Sequence, residues 1–126
     1  MKVLIIGCGW LGLPLGEKLV GLGLAVWGTT TQEKKLLDLE KKGIKPILFH
    51  GTQAVESSGV HEIFSDVVII TIPPSGSADY PELIRQIIQS LPETCKIIFT
   101  SSIGVYQVNE GLVDEHSACQ SNHPVY

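Results

Sequence analysis

Short runs of branched apolar residues alternate along this chain with stretches in which apolar positions recur every three or four residues. The runs Lys2–Ile6, Leu24–Thr29, Pro46–Phe49, Asp66–Ile72 and Lys96–Thr100 predict strands. Most are rich in Val and Ile without strict alternation, as in strands covered on both faces of a parallel sheet. Helices are predicted between them, over about 11–22, 32–42 and 79–91. The last carries the clearest stripe, with Tyr80, Leu83, Ile84, Ile87, Ile88 and Leu91 on one face. Asp79 reads as its N-cap with Glu82 as the N3 partner, and Pro81 falls in the first turn, where its missing N–H does no harm. Gly43 followed by Ile44 reads as the C-cap of the second helix. Residues 51–62 are polar and loop-like. Alternation of this kind implies a doubly wound α/β fold: five parallel strands in the order 3-2-1-4-5.

Directly after the first strand comes Gly7-Cys8-Gly9-Trp10-Leu11-Gly12, a G-x-G-x-x-G that leads into the first helix. Strand, glycine turn and helix in that order are the context in which this motif holds a dinucleotide. Gly7 allows the tight turn, Gly9 lets the backbone approach a pyrophosphate, and Gly12 lets helix and strand pack closely. Unpaired N–H groups and the positive end of the helix would then receive the phosphates. Cys8, Trp10 and Leu11 complete the turn and are counted with the cofactor-binding residues.

The choice between NAD and NADP turns on the end of the second strand. An NAD site usually places a carboxylate there to accept from the ribose 2′-OH. This strand ends Trp27-Gly28-Thr29-Thr30-Thr31, with no acid between Glu17 and Glu33. Thr30 with Glu33 also reads as a capping box for the next helix. Thr29, Thr30 and Thr31, with Lys34 or Lys35, could hold a 2′-phosphate, although the Arg of a committed NADP site is missing. The expectation is NADP or NAD, leaning towards NADP.

The fourth strand leads into Thr71-Ile72-Pro73-Pro74. At the carboxyl end of a strand beside the switch point, Ile72, Pro73 and Pro74 would form a stiff wall of the ligand crevice. An ordinary strand-to-helix loop is the other reading.

Composition narrows the class. The 126 residues carry 9 Lys and Arg against 13 Asp and Glu, a net charge of -4, and 44% are hydrophobic. That suits one domain with a core and gives no basic face for nucleic acid or an anionic membrane. No apolar stretch approaches a membrane span or a signal peptide. Cys8, Cys95 and Cys119 follow no disulfide spacing, which suits a reducing, cytoplasmic setting. The four histidines, His50, His61, His116 and His123, have no ligand spacing, so no metal site is expected.

After the fifth strand comes Thr100-Ser101-Ser102-Ile103-Gly104-Val105-Tyr106. With the glycine turn, the Gly28-Thr29-Thr30 segment and Ile72-Pro73-Pro74, this order of motifs resembles the NAD(P)-dependent epimerase/dehydratase family. These are the extended and atypical short-chain dehydrogenase/reductases, whose cofactor domain is a Rossmann fold. The resemblance implies hydride transfer at a carbinol carbon, on a small, sugar-like substrate. It implies that Ser102 hydrogen-bonds the reacting oxygen, with Ser101 near the cofactor. A Tyr of a Tyr-x-x-x-Lys pair is the family's acid/base, and Tyr126 stands at about that separation from Ser102. An ordinary tail residue is the other reading of Tyr126. As Tyr126 is the last residue, the Lys that lowers the Tyr pKa is not in this chain. Tyr106 resembles a packing residue of the fifth strand. Val113-Asp114-Glu115 matches a segment where substrate enters, or is a solvated loop.

Two functional readings follow. One is an NAD(P)-dependent oxidoreductase or epimerase; the other is a non-catalytic NAD(P)-binding module or a fragment without turnover. Residues 1–126 are expected to form the cofactor domain without the family's carboxy-terminal substrate lobe. Strand five, with Ile97, Ile98 and Phe99, would be an apolar edge, which invites a homo-oligomer or pairing with the rest of a longer chain.

Overall fold

A computed structural model of the chain describes residues 1–50, 65–74, 79–101, 106 and 111–119. The elements run Lys2–Ile6 (β1), Gly12–Gly21 (α1), Ala25–Thr30 (β2), Leu36–Lys41 (α2), Lys45–Leu48 (β3), Val67–Ile70 (β4), Tyr80–Ser90 (α3) and Lys96–Phe99 (β5). Among the described residues the five strands form one sheet, all parallel, in the order β3-β2-β1-β4-β5. This is the doubly wound α/β fold that the alternation implies.

β1 lies at the centre, between β2 and β4, and its residues Val3–Ile6 are all buried. Successive side chains divide between two cores. Val3 and Ile5 join Val26, Leu39, Ile44 and Ile69 on the face of α1 and α2. Leu4 and Ile6 join Val68, Ile70, Leu83, Ile87 and Leu91 on the face of α3. A strand sandwiched in this way has no polar face, which is why its sequence does not alternate.

Several boundaries differ from the expected ones. β2 starts and ends one residue later than Leu24–Thr29, because the Thr30 carbonyl accepts from Phe49 N–H at 2.9 Å and stays in the ladder. β3 begins at Lys45 and stops at Leu48, one residue before Phe49. β4 is shorter than Asp66–Ile72. Ile72 leaves the sheet ahead of Pro73, which restricts it, and its carbonyl accepts from the Tyr80 hydroxyl at 2.8 Å. β5 stops at Phe99, although Thr100 N–H still donates to Ile70 O at 3.0 Å. α1 and α3 are each trimmed by one residue at both ends.

The second helix departs most. Its first turn, Glu33–Lys35, is a 3-10 turn, and α-helix begins only at Leu36. The expected Thr30–Glu33 capping box does not form. Thr30 Oγ1 takes the N–H of Gln32, at 3.2 Å, rather than that of Glu33. Without a side-chain cap on its first donors, the turn tightens onto i→i+3 bonds, Lys35 N–H to Gln32 O at 3.0 Å. The other caps form as expected. Asp79 Oδ1 accepts from Glu82 N–H at 3.2 Å. Gly43 takes φ +75° and Ile44 N–H closes onto Leu39 O at 3.0 Å, a Schellman ending. The expected loop at 51–62 lies outside the described residues.

β5 is the outer strand. Ile97, Ile98 and Phe99 are exposed, with Ile98 at 52%. Register places Ile97 beside Val68 and Phe99 beside Ile70, on the α3 face, and Ile98 beside Ile69 on the opposite face. Both faces of this edge are therefore apolar.

Candidate functional site

The carboxyl ends of β1, β2 and β4 meet the start of α1 around a cleft of about 430 Å³. Its floor is the glycine turn. Gly7 takes φ +104°, a conformation that side-chain-bearing residues rarely adopt. A β-carbon there would also lie 3.1 Å from Ile72 N. At Gly12 a β-carbon would press on the Gly7 carbonyl and sit 2.9 Å from Thr71 Oγ1. At Gly9 it would meet nothing within 4 Å. Two glycines of the motif thus answer to the protein's own packing, and Gly9 answers only to what enters the cleft.

Hydrogen bonds hold the turn at both sides. Gly7 N–H donates to Thr29 Oγ1 at 2.8 Å, and Cys8 N–H donates to Thr29 O at 2.7 Å. The Gly7 carbonyl accepts from Thr71 Oγ1 at 2.6 Å and from Gly9 N–H at 2.8 Å. Helical bonding begins with Leu13 N–H to Gly9 O at 3.1 Å. Among the described residues, the N–H groups of Trp10, Leu11 and Gly12 have no acceptor within the protein. These are the donors a helix start leaves over, and Trp10 and Leu11 line the cleft.

The expected residues divide clearly. Gly7, Cys8, Gly9, Trp10, Leu11, Thr29, Thr30, Thr31, Ile72 and Pro73 all line the cleft. Gly12 is buried behind it, and Pro74 is half-buried outside its lining. Ser101 is exposed after β5 and does not line it. Ser102 and Tyr126 lie outside the described residues. Thr29 is only 1% exposed and its hydroxyl serves the turn, whereas Thr31 is exposed. Trp10, at 92% exposure, stands free of the turn that carries it. Burial pushes the Cys8 thiol up to about 11, so it stays protonated near neutrality and acts as packing rather than as a nucleophile.

No protein-family profile matches the chain. Protein YeeZ of Escherichia coli strain K12 is 32% identical over 123 residues, covering 90% of this chain and 45% of YeeZ. The chain thus spans a little under half the length of the curated relatives it matches. A functionally unknown conserved protein from Silicibacter pomeroyi superposes with a TM-score of 0.68 at 19% identity, covering 97% of this chain and 43% of its own. Synechocystis arogenate dehydrogenase gives 0.62 at 15% identity, over 82% and 34%. CAD from Helicobacter pylori, complexed with NADP(H), gives 0.58 at 22%, over 79% and 25%. The fold is Rossmann-like.

Sequence reasoning missed Gln32, Phe49, His50, Thr71 and Leu83, which also line the cleft. It named Lys35 only as one of two candidates, and the structure puts Lys35, not Lys34, in the lining. Phe49 and His50 follow β3 and reach the cleft only because β3 pairs with β2. Thr71 reads in sequence as part of the expected strand Asp66–Ile72, and it lines the cleft because β4 stops at Ile70. Its partner, the Gly7 carbonyl, is not visible in sequence. Tyr106 forms an isolated antiparallel bridge with Cys119. Asp114 accepts from His116 N–H and from the Ser117 hydroxyl in an exposed local turn, at 3.0 and 3.1 Å. Among the described residues, no group of three or more His, Cys, Asp or Glu could hold a metal ion. No helix among them is long and apolar enough to cross a membrane.

Proposed function

We propose that the cleft binds a nicotinamide dinucleotide and that the chain is the cofactor domain of a reductase or epimerase. The observation that carries this is the turn itself. Among the described residues three adjacent N–H groups lack acceptors, and the one glycine of the motif that faces open space, Gly9, stands beside them. A pyrophosphate needs just these things: donors, the positive end of a helix, and no Cβ in its path. The Rossmann-like fold and the NADP(H) complex of the Helicobacter pylori protein support the reading.

NADP is preferred to NAD in this account. Thr30, Thr31, Gln32 and Lys35 line the cleft past β2, and no Asp or Glu is among the described lining residues. A 2′-phosphate would meet a cation there and no carboxylate. Bound in this orientation, the cofactor would donate or accept a hydride at a carbinol carbon of a small, sugar-like substrate. Ser102 is proposed to hydrogen-bond that carbon's oxygen and Tyr126 to stand at the acid/base position. The apolar edge of β5 is proposed to pair with a second copy or with further strands of a longer chain. Sedimentation across a hundredfold concentration range tests the edge, and a monomer throughout would count against pairing between copies.

Calorimetric titration with NADPH and NADH tests the cofactor reading. Saturable one-to-one binding of both, tighter for NADPH, is expected. Absence of heat with either would remove the proposal.

A further inference from the structure

We propose that Thr71 is a positioning residue, which holds the glycine turn in its ligand-ready form from across the β1/β4 boundary. The inference rests on the dinucleotide reading but concerns a residue outside the glycine motif. Thr71 is the first residue after β4, and its N–H continues the ladder to Ile6 O at 2.9 Å. That backbone anchor leaves its side chain beside the turn. The hydroxyl donates to the Gly7 carbonyl at 2.6 Å, with the Ile6 carbonyl a weaker alternative at 3.4 Å.

The motif's glycines are shaped around this hydroxyl. A β-carbon on Gly12 would lie 2.9 Å from Thr71 Oγ1, and one on Gly7 would lie 3.2 Å from it. Two of the three motif glycines therefore leave room for one threonine just past another strand. Thr29 completes the clamp by accepting the Gly7 N–H at 2.8 Å. The peptide groups on both sides of Gly7 are thereby fixed in orientation. With the turn so fixed, the amides of Trp10, Leu11 and Gly12 find no acceptor among the described residues and remain available to a phosphate.

The two threonines differ in what their loss would do. Removing the Thr29 hydroxyl strands a Gly7 N–H, which costs stability outright. Removing the Thr71 hydroxyl leaves the Gly7 carbonyl still satisfied by Gly9 N–H at 2.8 Å. Thr71→Val preserves shape and leaves no buried group unpaired on the turn, so it separates positioning from folding. Thr71→Ser restores the hydroxyl and is the rescue.

The test compares wild type, Thr71→Val and Thr71→Ser by amide NMR of the unliganded chains and by titration with NADPH. Thr71→Val is expected to move the Gly9, Trp10, Leu11 and Gly12 amide signals, and to weaken NADPH by about tenfold, the scale of one oriented hydrogen bond. Thr71→Ser is expected to return both towards wild type. Thr71→Val with unmoved turn amides, or with wild-type NADPH affinity, would overturn the inference. So would failure of Thr71→Ser to rescue. Should wild type bind no dinucleotide, the cofactor reading falls by itself, while the amide signals still decide whether Thr71 sets the turn.

Discussion

The Cys8 thiol occupies the space that a β-carbon on Gly28 would need, so the glycine turn and the second strand interlock through a sulfur atom. Cys8 is 4% exposed and belongs to the core of the α1 and α2 face. Gly28 is therefore a packing requirement just before the threonines at the end of β2. Its lack of a side chain lets the turn sit down onto the sheet.

Gly28→Ala is expected to cost about 1–3 kcal/mol, the usual range for overpacking a close-packed core. The double variant Cys8→Ala/Gly28→Ala should recover only part of this, because Ile44 Cγ2, at 2.8 Å, would still crowd the new methyl. Denaturant unfolding of Gly28→Ala, Cys8→Ala and the double variant measures the coupling directly.

Gly9→Ala and Gly12→Ala separate binding from folding. A methyl at Gly9 meets nothing within 4 Å among the described residues, so unfolding should be unchanged or shifted up by about 0.5 kcal/mol. NADPH affinity should fall by about tenfold or more as the methyl enters the phosphate position. Gly12→Ala presses on the Gly7 carbonyl and Thr71, so it should lose about 1–3 kcal/mol of stability as well. Thermal melts with paired titrations distinguish the two.

Cys8 predicts a loss of stability in alkali. Burial raises its pKa from the ordinary 9.0 to about 11. Between these values the unfolded chain has released the proton and the folded chain still holds it, so stability falls as pH rises. The loss approaches about 2–3 kcal/mol by pH 11. Cys8→Ala should remove this component of the slope, as read from urea midpoints at pH 8 and pH 11.

Lys35→Ala tests cofactor choice. Lys35 lines the cleft just past the threonines, and its loss should weaken NADPH by about tenfold with little change for NADH. Equal weakening of both would place Lys35 away from the 2′-phosphate.

Much of the fold was legible because its strands are covered on both faces. Val3–Ile6 reads as an unbroken apolar run for that reason, and the α3 stripe reads cleanly because that helix is covered on one face. The glycine turn was legible from order alone: strand, G-x-G-x-x-G, helix. Thr30 misled because its side chain suits a cap while its carbonyl is taken by Phe49 N–H. Ile72 misled because an apolar residue continues a strand pattern, whereas Pro73 and the Tyr80 hydroxyl draw it out of the sheet. Thr71, Phe49, His50 and Leu83 were missed for a common reason. They reach the cleft through strand order and helix packing, which bring together residues far apart in the chain.

Amide NMR of the full chain titrated with NADPH bears most directly on the central claim, because it reports both whether the dinucleotide binds and where. The account predicts saturable shifts concentrated at Gly9, Trp10, Leu11 and Gly12, reached at lower concentration with NADPH than with NADH. Signals of the turn that stay fixed at saturating NADPH and NADH would contradict it.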